Sequence, residues 1–246
     1  MPELPLWRWV LAAFCAFNIG VAKTGVPGLG ILAVPLFVIA VGDARLSAGW
    51  LLPLLLMADL FAVGYYRKHN AAQALFTLAP GVLGGMALGA LVLRYPERIL
   101  RPVVGGIILG ILVLFLLRRR GVELAPASKR WTAGIFGTAA GFATMVANAA
   151  GPVMNVYLLS RQVPREEFVA TGAWFFFVIN LIKLPVYTVQ GLIRPSSLLF
   201  DLALAPWVVA GACAGRKVLA VIPESVFVAS VTVLSFLAAL LLFWPR

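Results

Sequence analysis

Charge is scarce in this chain. Only 12% of its 246 residues are Asp, Glu, Lys or Arg, against roughly 25% in an ordinary soluble domain. With 62% hydrophobic residues and a mean hydropathy of +1.00, that shortage excludes a soluble globular protein. It leaves no length for a separate soluble domain. Histidine is limited to His69, and cysteine to Cys15 and Cys213. A lone histidine argues against a histidine-based metal site and against a Ser-His-Asp triad. The two cysteines sit singly in apolar segments without a CxxC pattern, and read as core packing with no redox signal. No cofactor and no metal is therefore expected.

Acidic residues are also few, 9 against 20 Lys and Arg, giving a net charge of +11. Two readings stay open: loop charge that obeys the positive-inside bias, or a favourable potential for an anionic substrate. Nucleic acid is excluded as a partner, because the charges sit in short loops with no binding motif. The apolar run after Arg8 lacks a small-residue cleavage site and reads as a retained span.

What fills the chain is apolar sequence, in segments at about 5–22, 25–42, 46–66, 72–93, 99–117, 132–150, 151–162, 167–189, 198–214 and 218–243. A full crossing needs about 20 apolar residues. The third, fourth, fifth, eighth and tenth segments meet that length, and the ninth is slightly short. The expected fold is an all-α polytopic membrane protein of about 8–10 transmembrane segments. Trp7, Trp9, Trp50, Trp131 and Trp244 stand at segment ends, as interfacial anchors do. Trp174 and Trp207 fall inside segments and read as core packing. Four small-residue pairs, Gly85 with Gly89, Gly106 with Gly110, Gly137 with Gly141 and Gly211 with Gly215, suit close helix–helix approach.

The chain overlays on itself. Ala79-Pro80 matches Ala205-Pro206, Val82 matches Val208, and Gly85 and Gly89 match Gly211 and Gly215. Further on, Val92-Leu93 matches Val218-Leu219, and Pro96-Glu97 matches Pro223-Glu224. Upstream, Asp59 falls opposite Asn180 and Pro35 opposite Tyr157. The organisation expected is a first repeat over 1–118, a cytoplasmic connecting loop over 119–130 and a second repeat over 131–246. Four crossings per half would make the repeats parallel and five would invert them; the Lys/Arg distribution does not separate the two.

Each half contains one Gly/Pro-rich interruption: residues 23–36, KTGVPGLGILAVPL, and residues 147–159, ANAAGPVMNVYLL. Proline lacks an N–H and glycine is permissive, so such runs break a helix. In lipid the freed backbone groups must face protein or a water-filled cavity. A broken or re-entrant helix at corresponding places in two halves is the sequence pointer to a transporter's binding site.

Polar residues at membrane depth are few. Lys23, Thr24 and Gly25 open the first break, with Gly28 and Gly30 behind them. Asn148, Gly151 and Asn155 span the second, and Asn180 and Lys183 lie inside 167–189. An anion between the breaks would meet half-helices restarting near Gly28–Gly30 and Gly151–Met154, whose free N–H groups and positive dipole ends point at it. Lys23 or Lys183 would add full charge, and Thr24, Asn148 and Asn155 hydrogen bonds. The plainer readings are a snorkelling Lys23, a Lys183–Asp59 structural pair, and asparagines that satisfy carbonyls opened by the break. Asp59, taken as the one acidic residue deep in a span, is either a proton carrier or a fixed counter-ion. Asn180 at the matching position favours the counter-ion.

Residues 25–36, GVPGLGILAVPL, resemble the glycine-rich segment ending in Pro-Leu near the start of sulfite exporter TauE/SafE family proteins. Residues 147–158, ANAAGPVMNVYL, are similar to that family's second-half segment, and the resemblance covers essentially the whole chain. It implies a multi-pass permease of the bacterial inner membrane for small sulfur-containing or carboxylate anions, such as sulfite, thiosulfate or organosulfonates. Here Pro27 and Leu29 interrupt a first motif that is often nearly all glycine. The partners implied are the anion and the lipid bilayer; a homo-oligomer is compatible with both. Rival readings are a carboxylate-specific or channel-like anion permease and, from another class, a membrane-embedded lipid-modifying enzyme. Against the enzyme stands the lack of intramembrane nucleophile, base and metal-ligand clusters.

Overall fold

A computed structural model describes residues 4–31, 33–67, 72–92, 97–119, 130–147, 149–241 and 243. Among them the chain is all-helical, with no strand. The helices are α1 (Leu6–Thr24), α2 (Ala33–Val41), α3 (Ala44–Tyr66), α4 (Ala72–Val92), α5 (Glu97–Arg119), α6 (Arg130–Ala147), α7 (Ala150–Arg161), α8 (Arg165–Val189), α9 (Pro195–Val221) and α10 (Glu224–Leu241). One helix answers to each expected apolar segment. The protein is an all-α polytopic membrane protein, and α3, α4, α8 and α9 each contain an internal proline. The expected connecting loop lies almost wholly outside the described residues.

Lengths depart from expectation in three places. Among the described residues five helices are long and apolar enough to cross a membrane: α1, Leu46–Tyr66 of α3, Leu75–Val92 of α4, α8 and α9. The ninth segment, expected to be short, becomes a helix of 27 residues, because Arg216 and Lys217 continue the helix instead of ending it. Long basic side chains extend to water from a helix end without breaking it. In α5 and α10 the apolar stretches found are the shorter Pro102–Leu117 and Glu224–Leu237.

The chain forms two compact units, residues 1–70 with 165–223 and residues 71–164 with 224–246. Each takes helices from both ends of the sequence. In the first, α1 lies along α9, α3 packs on both α8 and α9, and α2 covers α1 and α3. Trp9 packs tilted against Phe200 with ring centroids 4.7 Å apart, while further along the two helices Thr24 bonds to Ala212, so α1 and α9 run in the same direction. Conversely, Gly49 of α3 abuts Leu192, just beyond α8, while Asp59 meets Asn180. Those two helices therefore run antiparallel. Ala12, Cys15, Ile19, Phe37, Leu54 and Phe200 are among the residues of this unit's core.

The second unit is built on α4 against α6, with α7 and α10 joined to α5 and α6. Glycine determines both main crossings. A Cβ on Gly85 or Gly141 would collide with the backbone oxygen of Thr138 or Val82; in the first unit one on Gly211 would collide with that of Phe17. Three of the four expected glycine pairs thus sit at helix contacts. The fourth does not: Gly106 and Gly110 face open space. Cys15 is buried but Cys213 is exposed, and Trp207 is 52% exposed. These two side chains point outward from a membrane helix, where apolar groups meet lipid at no cost, so core packing is corrected for both.

Candidate functional site

The first break is stapled by hydrogen bonds. The Thr24 hydroxyl lies 2.7 Å from the Ala212 carbonyl of α9 and 3.0 Å from that of Gly20, and donates there. Tyr66, at the end of α3, donates its hydroxyl to the Thr24 carbonyl at 2.7 Å. Gly25 fits only because it lacks a side chain, since a Cβ would strike the backbone of Gly215. Gly28 then takes φ +109°, open to glycine and rare for other residues. A short 3-10 turn, Leu29–Ile31, follows, and helix resumes at Ala33. The restart expected near Gly28–Gly30 falls three residues later, because the left-handed turn must finish first.

Beside this staple lies a buried polar cluster. Lys23 Nζ stands 2.7 Å from Asp59 Oδ1, with Asp59 fully buried and the lysine side chain 15% exposed. Asn180 Nδ2 donates to the other carboxylate oxygen at 2.8 Å. The Lys23 ammonium also sits over the Phe176 ring, 4.1 Å from its centroid. Phe176, Asn180 and Lys183 recur at four and three residues, which puts them on one face of α8. Lys183 is buried and within electrostatic reach of Lys23. Lys23 is thus the lysine that meets the carboxylate, and Lys183 is a second buried lysine near it. An ion pair withdrawn from water holds only if its remaining lone pairs are satisfied, and the Asn180 amide supplies that bond.

The pairing differs from the Lys183–Asp59 structural pair considered above: Asp59 is bonded to Lys23, while Lys183 lies a turn beyond Asn180. Lys23, Thr24, Gly25, Gly28, Gly30, Asp59, Asn180 and Lys183 all belong to the first unit. Gly151 and Asn155 belong to the second. There α7 starts without a side-chain cap, and the buried Asn155 amide makes a long contact of 3.5 Å to the Ser235 hydroxyl of α10. Asn148 lies outside the described residues.

Asp59 is not alone as a deep acid. Asp201, in α9, is only 2% exposed. It stands near the start of the ninth apolar segment, and the expectation that Asp59 is the one deep acid is corrected accordingly. Tyr66 and Arg216 were also passed over; Arg216 lies over the Tyr65 ring at 3.8 Å. A groove of about 550 Å³ in the second unit, lined by Leu88, Trp131, Ile135 and Phe142 among others, offers apolar surface with no charged group among its described lining residues.

The family model for the sulfite exporter TauE/SafE matches residues 11–242. The chain belongs to the sulfite exporter TauE/SafE family. No curated protein and no solved structure matches it. Membership makes this TauE/SafE chain a multi-pass membrane transport protein. The match runs through both Gly/Pro breaks and every charged residue of the buried cluster.

Proposed function

We propose that the protein is a permease for a small sulfur-containing anion such as sulfite, thiosulfate or an organosulfonate. It exports this anion across the bacterial inner membrane by alternating access around its broken helices. The observation that carries this reading is the cluster of Lys23, Lys183, Asp59 and Asn180. Two lysines, a carboxylate and an amide gathered beside the first break are costly to place at membrane depth, and such groups mark substrate and ion pathways. Asp59 is the fixed counter-ion that holds Lys23 in place, and Lys183 supplies the charge that the substrate meets. Thr24, with its proton committed to carbonyls, keeps α1 on α9.

An inverted duplication is part of the proposal, and the geometry within each unit supports it. Asn180 follows Asp59 by 121 residues, and the two, matched by the self-overlay, bond to each other across antiparallel helices. Thr138 follows Phe17 by the same interval; each receives the matched glycine of the other half, Gly85 and Gly211. A pseudo-two-fold axis between α3 and α8 accounts for the first fact, and the like glycine contacts inside the two units are what a duplication would leave. Matched helices that oppose each other require an odd number of crossings per half.

The test is flux of labelled sulfite, thiosulfate and a sulfonate into proteoliposomes, with carboxylates as competitors. Saturable flux inhibited by sulfur oxyanions is expected. Inhibition by carboxylates alone would favour the carboxylate permease, and turnover of added lipid without flux would favour the enzyme.

A further inference from the structure

We propose that Asp201 is a proton-binding site, separate from the anion cluster, which takes up and releases one proton in each transport cycle. Its role in transport rests on the permease reading above; its protonation does not. Both carboxylate oxygens of Asp201 are buried and lack any hydrogen-bond partner among the described residues. The neighbouring hydroxyl one turn earlier, Ser197, is already occupied, accepting from the Arg194 N–H and donating to the Arg194 carbonyl. Phe200 and Leu204, beside Asp201 on α9, pack into the apolar cluster with Ala12, Phe37, Leu51 and Leu54. Among the described residues an ionised carboxylate here finds neither a counter-charge nor a donor, whereas a neutral carboxyl forfeits hydrogen bonds alone.

Among the described residues, no charged or titratable group on the packed elements bonds to Asp201, although the Arg8 Nε is also buried without a hydrogen-bond partner. On α1, the Arg8 guanidinium lies beside Gly42 and over the Trp7 ring, Cys15 is apolar packing, and Lys23 holds Asp59. On α3, Asp59 is paired and Tyr65 and Tyr66 stand at the far end beside Arg216 and Thr24; the Arg45 side chain lies outside the described residues. Phe200 touches Trp50 at 5.4 Å, so Asp201 lies about nine residues along α3 from Asp59, about 14 Å at the helical rise. A metal cation is a poor occupant, since it needs several oxygen ligands, and no group of three potential ligands exists among the described residues. A proton needs one.

The test has two arms on the full chain. Infrared difference spectra of the wild type in lipid should show a protonated-carboxyl stretch that shifts in heavy water and disappears in Asp201→Asn. Thiosulfate flux, whose substrate does not itself titrate near neutral pH, should respond several-fold to a pH gradient in the wild type. In Asp201→Asn the ratio of flux with the gradient to flux without it should fall to about one. An ionised Asp201 in the spectra, or an unchanged ratio in the variant, overturns the proposal. If the wild type moves no anion, the permease reading fails and the infrared band alone decides on the proton site. The same holds if Asp201→Asn does not fold, with Asp201→Glu then used to shift the band for assignment.

Discussion

Replacing Lys23 by methionine should destabilise the protein heavily, because it strands a carboxylate. Asp59 is fully buried, with the Lys23 ammonium at 2.7 Å as its counter-charge. The Asn180 amide is its other bond. Removing one partner of a buried pair costs about 3–5 kcal/mol, since the partner left behind remains buried and uncompensated. Removing both together costs much less. We expect Lys23→Met alone to lose stability in that range, and Lys23→Met with Asp59→Asn to recover most of it. Equilibrium unfolding of the four proteins in mixed micelles closes the double-mutant cycle. Additive effects of the two substitutions would refute the pairing, as would a Lys23→Met protein as stable as the wild type. A transport defect in Lys23→Met alone therefore says little about substrate contact, because folding and function fall together there.

Further outcomes follow from the same geometry. Gly85→Ala and Gly211→Ala should each lower stability by about 1–3 kcal/mol through overpacking, because the new methyl meets a backbone oxygen. By contrast, Gly106→Ala and Gly110→Ala, at open positions, should raise stability by about 0.5–1 kcal/mol; thermal unfolding in detergent distinguishes the signs. Tyr66→Phe removes the bond to the Thr24 carbonyl and should cost about 1 kcal/mol, read in the same assay. The exchange Asp59→Asn with Asn180→Asp keeps one carboxylate and one amide on the pseudo-axis, so it should be more stable than Asn180→Asp alone, which sets two carboxyl groups face to face. Equal stability of the double and single variants would count against the shared axis.

The helices were readable in the sequence because lipid imposes a length and a composition on every crossing, and each apolar run has its helix among the described residues. Glycine positions were only partly readable. Gly85 and Gly106 stand in the same spacing pattern, yet only Gly85 has a neighbouring backbone, and spacing does not report what lies opposite. The buried cluster was visible residue by residue, since polar groups at depth are rare. Its pairing was not: Lys183 was the partner considered for Asp59 while Lys23 was given a snorkelling alternative, and the choice depends on how α1, α3 and α8 pack. Asp201 was hidden by its position, seven residues into α9, where an aspartate is usually solvated. Arg216 and Lys217 misplaced a helix end for the opposite reason, being solvated residues that continue a helix.

The most direct measurement of the central claim, that the buried lysine cluster receives the anion, is sulfite and thiosulfate flux through Lys183→Met and Lys183→Arg in proteoliposomes. Both proteins are to be checked for folding by circular dichroism and monodisperse elution. Loss of saturable flux in Lys183→Met, with partial return in Lys183→Arg, is the predicted result. Wild-type flux in a folded Lys183→Met protein would contradict it and place the anion elsewhere.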